Sequence, residues 1–131
     1  MAQEQAAPLW THYDELGEFS NFPGVTLRVI SGQNVLTAWI RLAPGAVVPT
    51  HHHLAEQLGV VLEGGMDLTI GDETRLLEAG ATYVIPPNVP HAATATADGI
   101  LLLESFSPPR DDYVALGNAA TAALKARGPA K

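Results

Sequence analysis

Gly45-Ala46-Val47-Val48-Pro49-Thr50-His51-His52-His53-Leu54-Ala55-Glu56-Gln57, continuing through an apolar run to Gly64, is the segment on which the fold turns. Its counterpart is Gly80–His91, where Pro86 and Asn88 come just before His91. Four of the five histidines of the chain lie in these two windows. Side chains alternate along a strand, so the spacing aims His51 and His53 to one side of a sheet and His52 to the other. Gln57 follows the Leu54-Ala55 bend, and a hairpin there returns it beside the histidines. His91 arrives from a distant strand behind Pro86-Pro87-Asn88-Val89-Pro90, whose prolines pre-set the backbone and the direction of the ring. Histidine is the commonest side-chain ligand of transition metals. The expectation is three imidazoles and one amide oxygen around a metal inside a small β-barrel, with open positions for water or substrate, as in catalytic sites. The bland alternative is a solvated histidine loop.

Outward from these windows the chain is punctuated into short β-like segments. They are Val25–Ile30, Asn34–Leu42, Val47–His53, Gln57–Glu63, Met66–Ile70, Glu73–Leu77, Thr82–Ile85, His91–Thr96 and Ile100–Phe106. Met66, Leu68 and Ile70 alternate with Asp67 and Thr69, a half-buried strand pattern. Ser31-Gly32, Gly64-Gly65 and Gly71-Asp72 stand where hairpin turns are needed. Close strand spacing of this kind indicates an all-β sandwich or barrel. Residues 1–24 read as an N-terminal arm, loose over 1–8 and irregular over Leu9–Phe22; 25–107 form the barrel; 108–131 form a helix and tail. The helix is expected over Asp111–Arg127, with acids at its start and Lys125 and Arg127 at its end to complement the dipole, although Gly117 and Asn118 weaken its middle.

The 131 residues amount to one domain, and 47% hydrophobic against 16% charged residues describes a folded chain. A net charge of −7 argues against nucleic-acid binding and against anionic membranes. The absence of cysteine rules out disulfides and thiolate ligands. Met1–Pro8 has no secretory pattern and no apolar run reaches transmembrane length, so a cytoplasmic location is expected.

Gly45-(x)5-His51-x-His53-(x)3-Gln57-(x)6-Gly64 resembles the first motif of the cupin superfamily, and Gly80-(x)5-Pro86-x-Asn88-(x)2-His91 resembles the second. The resemblance spans roughly Pro44–Phe106 and implies a double-stranded β-helix, the cupin jelly-roll barrel, followed here by a C-terminal α-helix and often dimeric. By position it carries the metal ligands onto His51, His53, Gln57 and His91, holding one divalent transition metal (zinc, nickel, manganese or iron). Gln57 stands where many cupins have glutamate, and Asn88 where glycine is usual; asparagine tolerates the same positive φ. A neutral amide leaves the site one charge more positive, which favours Lewis-acid, redox-neutral chemistry over oxygen activation. Glu56 and His52 are out of phase with the motif and are expected at the surface or behind the ligands; His12 lies outside it and is expected at the surface.

A second signature is Glu104-Ser105-Phe106-Ser107-Pro108-Pro109-Arg110. Glu104 and Phe106 share one face; Arg110 follows a rigid diproline, and its planar fork suits a carboxylate. With the first motif, this stretch is similar to the small cupins that linearise unsaturated uronates in pectin and alginate breakdown. That resemblance implies catalytic roles for Glu104, Phe106 and Arg110, with Glu104 in place of the usual aspartate. It implies ring opening of 4,5-unsaturated uronates to open-chain keto sugar acids, an isomerase- or lyase-type reaction on a small carboxylated sugar. Other cupin chemistries (dioxygenase, lyase, polyketide cyclase) and a non-catalytic ligand-binding role are the alternatives. A homodimer is expected, because apolar outward residues such as Val60 or Val61 need cover.

Overall fold

Strand alternation builds the first wall of the barrel. In a computed structural model that describes residues 7–128, Val25, Leu27 and Val29 alternate with exposed or half-exposed neighbours, and so do Leu36, Ala38, Ile40 and Leu42; all seven are buried. The loose arm expected over residues 1–8 lies, for 1–6, outside the described residues. The strands are β1 (Phe19–Phe22), β2 (Val25–Ser31), β3 (Leu36–Leu42), β4 (Val47–His51), β5 (Glu56–Ile70), β6 (Glu73–Glu78), β7 (Thr82–Ile85) and β8 (His91–Ser107). One helix, α1 (Asp111–Arg127), follows them. The part of the irregular N-terminal segment at Phe19–Phe22 is in fact a strand, antiparallel to β2.

All pairings are antiparallel, in the order β1-β2-β3-β8-β5-β6, with β4 also on β8 and β7 on β5. This is the expected jelly-roll barrel, with one difference in how it is strung. Gly64-Gly65 is not a hairpin turn. It lies inside β5, and the segments on either side of Thr96–Gly99 likewise merge into β8. The two long strands pair along most of their length, with bulges between Val61 and Glu63 and between Gly64 and Met66. Gly64 has φ 76° and Gly99 φ 67°, and a Cβ on Gly64 would overlap the Gly99 carbonyl. Glycine is needed there because the strands cross at backbone contact while they bend. The bend lets one end of β8 pair with β4 and the other with β3, which closes the barrel.

Val61, expected outside, is a core residue; β5 turns Leu58 and Leu62 outward instead, and Leu58 sits opposite the equally exposed Val84 of β7. The helix packs on β2 and β1. Its Gly117 is buried where a Cβ would overlap the Val29 side chain, so the glycine that weakened the helical pattern is what lets α1 lie close on β2. Gly117→Ala gains roughly 1 kcal/mol in helix propensity, but overpacking costs about 1–3 kcal/mol. The variant is expected to be destabilised or at best neutral in denaturant titration, never stabilised by the full propensity gain. Among the described residues no helix is long and apolar enough to cross a membrane.

Candidate metal centre

Register brings the motif residues together. His51, the last residue of β4, is the direct cross-strand partner of His91, the first of β8. Their ring centroids are 4.3 Å apart, and His53 lies 5.6 Å from His51 and 4.9 Å from His91. The candidate ligand atoms of the three all fall within 4.8 Å of one another. Strand alternation aims His51, but β4 stops there. His53 is aimed by a loop whose backbone is tied down, with the Asn88 amide donating to the His53 carbonyl at 2.8 Å. Asn88 adopts the positive φ expected of it, 63°. His52, Glu56 and His12 are exposed, and His12 caps a short 3-10 turn at Tyr13–Glu15.

Each ring has one nitrogen on a carbonyl oxygen: His51 Nδ1 on Pro49 (2.9 Å), His53 Nδ1 on Ala55 (2.9 Å) and His91 Nδ1 on Val89 (2.8 Å). A carbonyl only accepts, so Nδ1 carries the proton and each Nε2 presents a lone pair. His91 Nε2 is buried with no hydrogen-bond partner. His53 Nε2 faces the Gln57 amide oxygen at 3.0 Å, two acceptors pointing at one another. Burial, then the Arg110 charge, lowers the His53 pKa; burial is also the main force bringing His91 down to about 4. The His53 and His91 rings are therefore neutral near pH 7, and no proton is available there to reconcile these lone pairs. A divalent cation would do so, and this donor set (three imidazole nitrogens and one amide oxygen) suits a first-row transition metal. The structure thus fits a metal at His51, His53, Gln57 and His91.

Gln57 and Glu104 are both 6% exposed. Gln57 Nε2 donates to Glu104 Oε2, which also accepts from the Tyr83 hydroxyl; Oε1 of Glu104 has no partner among the described residues. Burial raises the Glu104 pKa, against the opposing pull of these two hydrogen bonds and of Arg110. Burial also holds Tyr83 well above the ordinary phenol value, so it remains a donor. The partners of Glu104 are thus Tyr83 and Gln57, with Arg110 acting on it only through its field. Phe106, 1% exposed, packs edge-on against His53 (5.7 Å) and Tyr113 (5.4 Å), so it is at once core and wall of the site.

Arg110 pairs with Asp112 (2.8 Å) and stacks over the Tyr113 ring at 3.9 Å. It also lines the cavity that His51, His91, Gln57, Glu104 and Phe106 share. Tyr83, Tyr113 and Asn21 line that cavity as well and were not foreseen. Gly59 inside an apolar strand was the one available sign of Tyr83, since a strand glycine often marks something lying across it. Asn21 and Tyr113, which hydrogen-bond at 3.1 Å, sit in the segment read as irregular and in the helix, and carried no sign.

A β-barrel with a three-histidine cluster in its interior defines a class, and the comparisons agree. The cupin domain family model matches residues 38–103, about half of the chain. The chain belongs to the cupin family. It is similar to the pectin degradation protein KdgF of Dickeya dadantii (strain 3937), at 27% identity over 106 residues, covering 79% of this chain and 92% of that protein. The structure of KdgF from Halomonas sp. matches with a TM-score of 0.75 at 26% identity, covering 81% of this chain and 98% of that one. H2HPP isomerase of Bacillus subtilis is 41% identical over 81 residues, 54% of this chain and 34% of that protein.

Proposed function

We propose that this cupin is a metal-dependent isomerase-type enzyme that opens 4,5-unsaturated uronates to open-chain keto sugar acids. The observation that carries it is the meeting of a buried carboxylate, Glu104, and a stacked guanidinium, Arg110, in the cavity that His51 and His91 of the three-histidine cluster line. Similarity to a pectin degradation protein along most of both chains supports the substrate class.

Arg110 takes the substrate carboxylate. Asp112 and the Tyr113 ring hold the guanidinium in place beforehand, which reduces the entropy lost on binding. Glu104 uses Oε1 to accept the anomeric hydroxyl proton as the ring C1–O5 bond breaks. The released enol becomes the C5 ketone when a proton is returned to C4. One proton leaves oxygen and one arrives at carbon, so the step is an isomerisation and needs no co-reactant. A carboxyl group with a raised pKa is suited to both transfers. A divalent zinc, nickel, manganese or iron ion, when bound, polarises a substrate oxygen. Phe106 walls the cavity and keeps water from the reacting face. The exposed Leu58, Leu62 and Val84 support a homodimer through the outer face of β5 and β7.

The test is incubation of metal-loaded protein with unsaturated galacturonate released from pectate by a lyase. Loss of the conjugated double bond is followed by absorbance and the open-chain product by NMR. No acceleration over the uncatalysed rate overturns the reaction. Arg110→Ala is expected to raise KM about tenfold or more with a smaller change in kcat, since a charge-assisted bond contributes roughly 1.5–3 kcal/mol. The identity with H2HPP isomerase favours a second reading, a different isomerisation in the same site; turnover of H2HPP with none of uronates selects it.

A further inference from the structure

We infer that Tyr83 is a positioning residue that acts through Glu104 to orient the amide of Gln57 toward the metal. The inference rests on the metal centre proposed above and not on which reaction it serves.

Three strands lie side by side here, and their register sets Tyr83 of β7, Gly59 of β5 and Glu104 of β8 in one row. Adjacent strands are about 4.8 Å apart, so β7 and β8 stand roughly 10 Å apart across β5. A side chain of ordinary size on the middle strand would separate the outer two. Gly59 has none, and a Cβ added there would overlap the Tyr83 ring. The ring therefore lies across β5, and its hydroxyl reaches the Glu104 carboxylate. Without Tyr83, Glu104 Oε2 keeps a single fixed partner.

Gln57 needs that carboxylate held still. An amide offers an oxygen at one end and two N–H donors at the other, and only the oxygen is a useful ligand for a cation. Oε2 of Glu104, an acceptor, draws the Nε2 end of Gln57 to itself, and Oε1 is left facing His53. The order of control is Tyr83, then Glu104, then Gln57, then the ion. Partners behind metal ligands typically change metal affinity by about 10–100-fold when removed. The arrangement also gives Gly59 a role: it is the gap through which the tyrosine reaches.

The test measures Co2+ affinity by chelator competition, together with the visible spectrum of the Co2+-loaded protein, in the absence of substrate. Glu104→Met is expected to bind about 10–100-fold more weakly and Tyr83→Phe about tenfold more weakly, each with an altered visible band. The double variant should bind no more weakly than Glu104→Met alone, because Tyr83 has no route to the metal except through Glu104. Glu104→Gln should stay within about threefold of wild type with an unchanged spectrum, since its carbonyl accepts both hydrogen bonds. Gly59→Ala, which displaces the ring, should reproduce Tyr83→Phe. Unchanged affinity and spectrum in Tyr83→Phe overturn the inference, as does a double variant weaker than Glu104→Met by the whole Tyr83→Phe factor. Wild-type protein that does not bind Co2+ overturns the metal centre and this inference together. Binding that behaves as expected in a protein inactive on uronates upholds the inference and removes only the reaction.

Discussion

His91→Ala is expected to leave the protein folded and without its metal. His91 supplies a buried nitrogen with no other partner, on the strand opposite His51, so no neighbouring group can take its place. Loss of a direct ligand should weaken metal affinity by more than about a hundredfold, the upper end of what the partners behind ligands contribute. Elemental analysis after dialysis should find wild-type protein loaded and the variant empty, and activity should fall with the metal. The metal-free proteins should also differ in their response to acid. In the fold the His91 pKa falls from 6.5 to about 4, so between these values the unfolded chain takes up a proton that the folded chain does not. Stability is therefore retained above about pH 6.5 and lost as pH falls toward 4. In His91→Ala that decline should be shallower, with the part due to His53 remaining. A variant that keeps full metal occupancy would remove His91 from the centre.

Glu104→Gln is expected to lower kcat by about 10²–10⁴-fold with little change in KM, the range for loss of a positioned acid–base group. The substitution is isosteric and retains a carbonyl that can accept from Tyr83 and Gln57, so the site around it should persist. It loses only the capacity to hold a proton at Oε1. Steady-state kinetics with metal content measured on the same sample separates the two effects: full metal and low kcat place proton transfer at Glu104. Full metal and wild-type kcat would confine Glu104 to the support of Gln57. Glu104→Asp retains the acid but is a methylene shorter, and withdrawal from Gln57 and Tyr83 should cost it both activity and metal affinity.

Much of the site could be read in the chain because its information is local. The spacing of His51, His53 and Gln57, the prolines ahead of His91 and the positive-φ position at Asn88 all act within a few residues; the three rings lie together and Asn88 has the left-handed φ. The alternation in β2 and β3 likewise fixes the buried face from nearest neighbours alone. Where the expectation failed, the deciding contact was remote. Gly64-Gly65 has the composition of a hairpin, but Gly99, far along the chain, lies against it and makes it a bulge in a continuous strand. Val61 is a different case: it stands in phase with the inward Gln57 and Gly59, so alternation already puts it inside, and the bulges of β5 come only after it. His53 was assigned to a strand that ends at His51, and the hydrogen bond that aims its loop comes from Asn88.

The chain by itself determined an all-β barrel, the candidate donor groups and the acid and guanidinium near them, since periodicity and donor chemistry are carried by side chains and short spacings. Only the tertiary structure decided what each of those groups touches. Tyr83 reaches Glu104 because Gly59 is the residue between them on the middle strand, and Tyr113 meets Asn21 and the Phe106 ring because α1 folds back over the sheet. Such contacts depend on the register between strands distant in sequence, which is settled by packing of the whole barrel and has no local code.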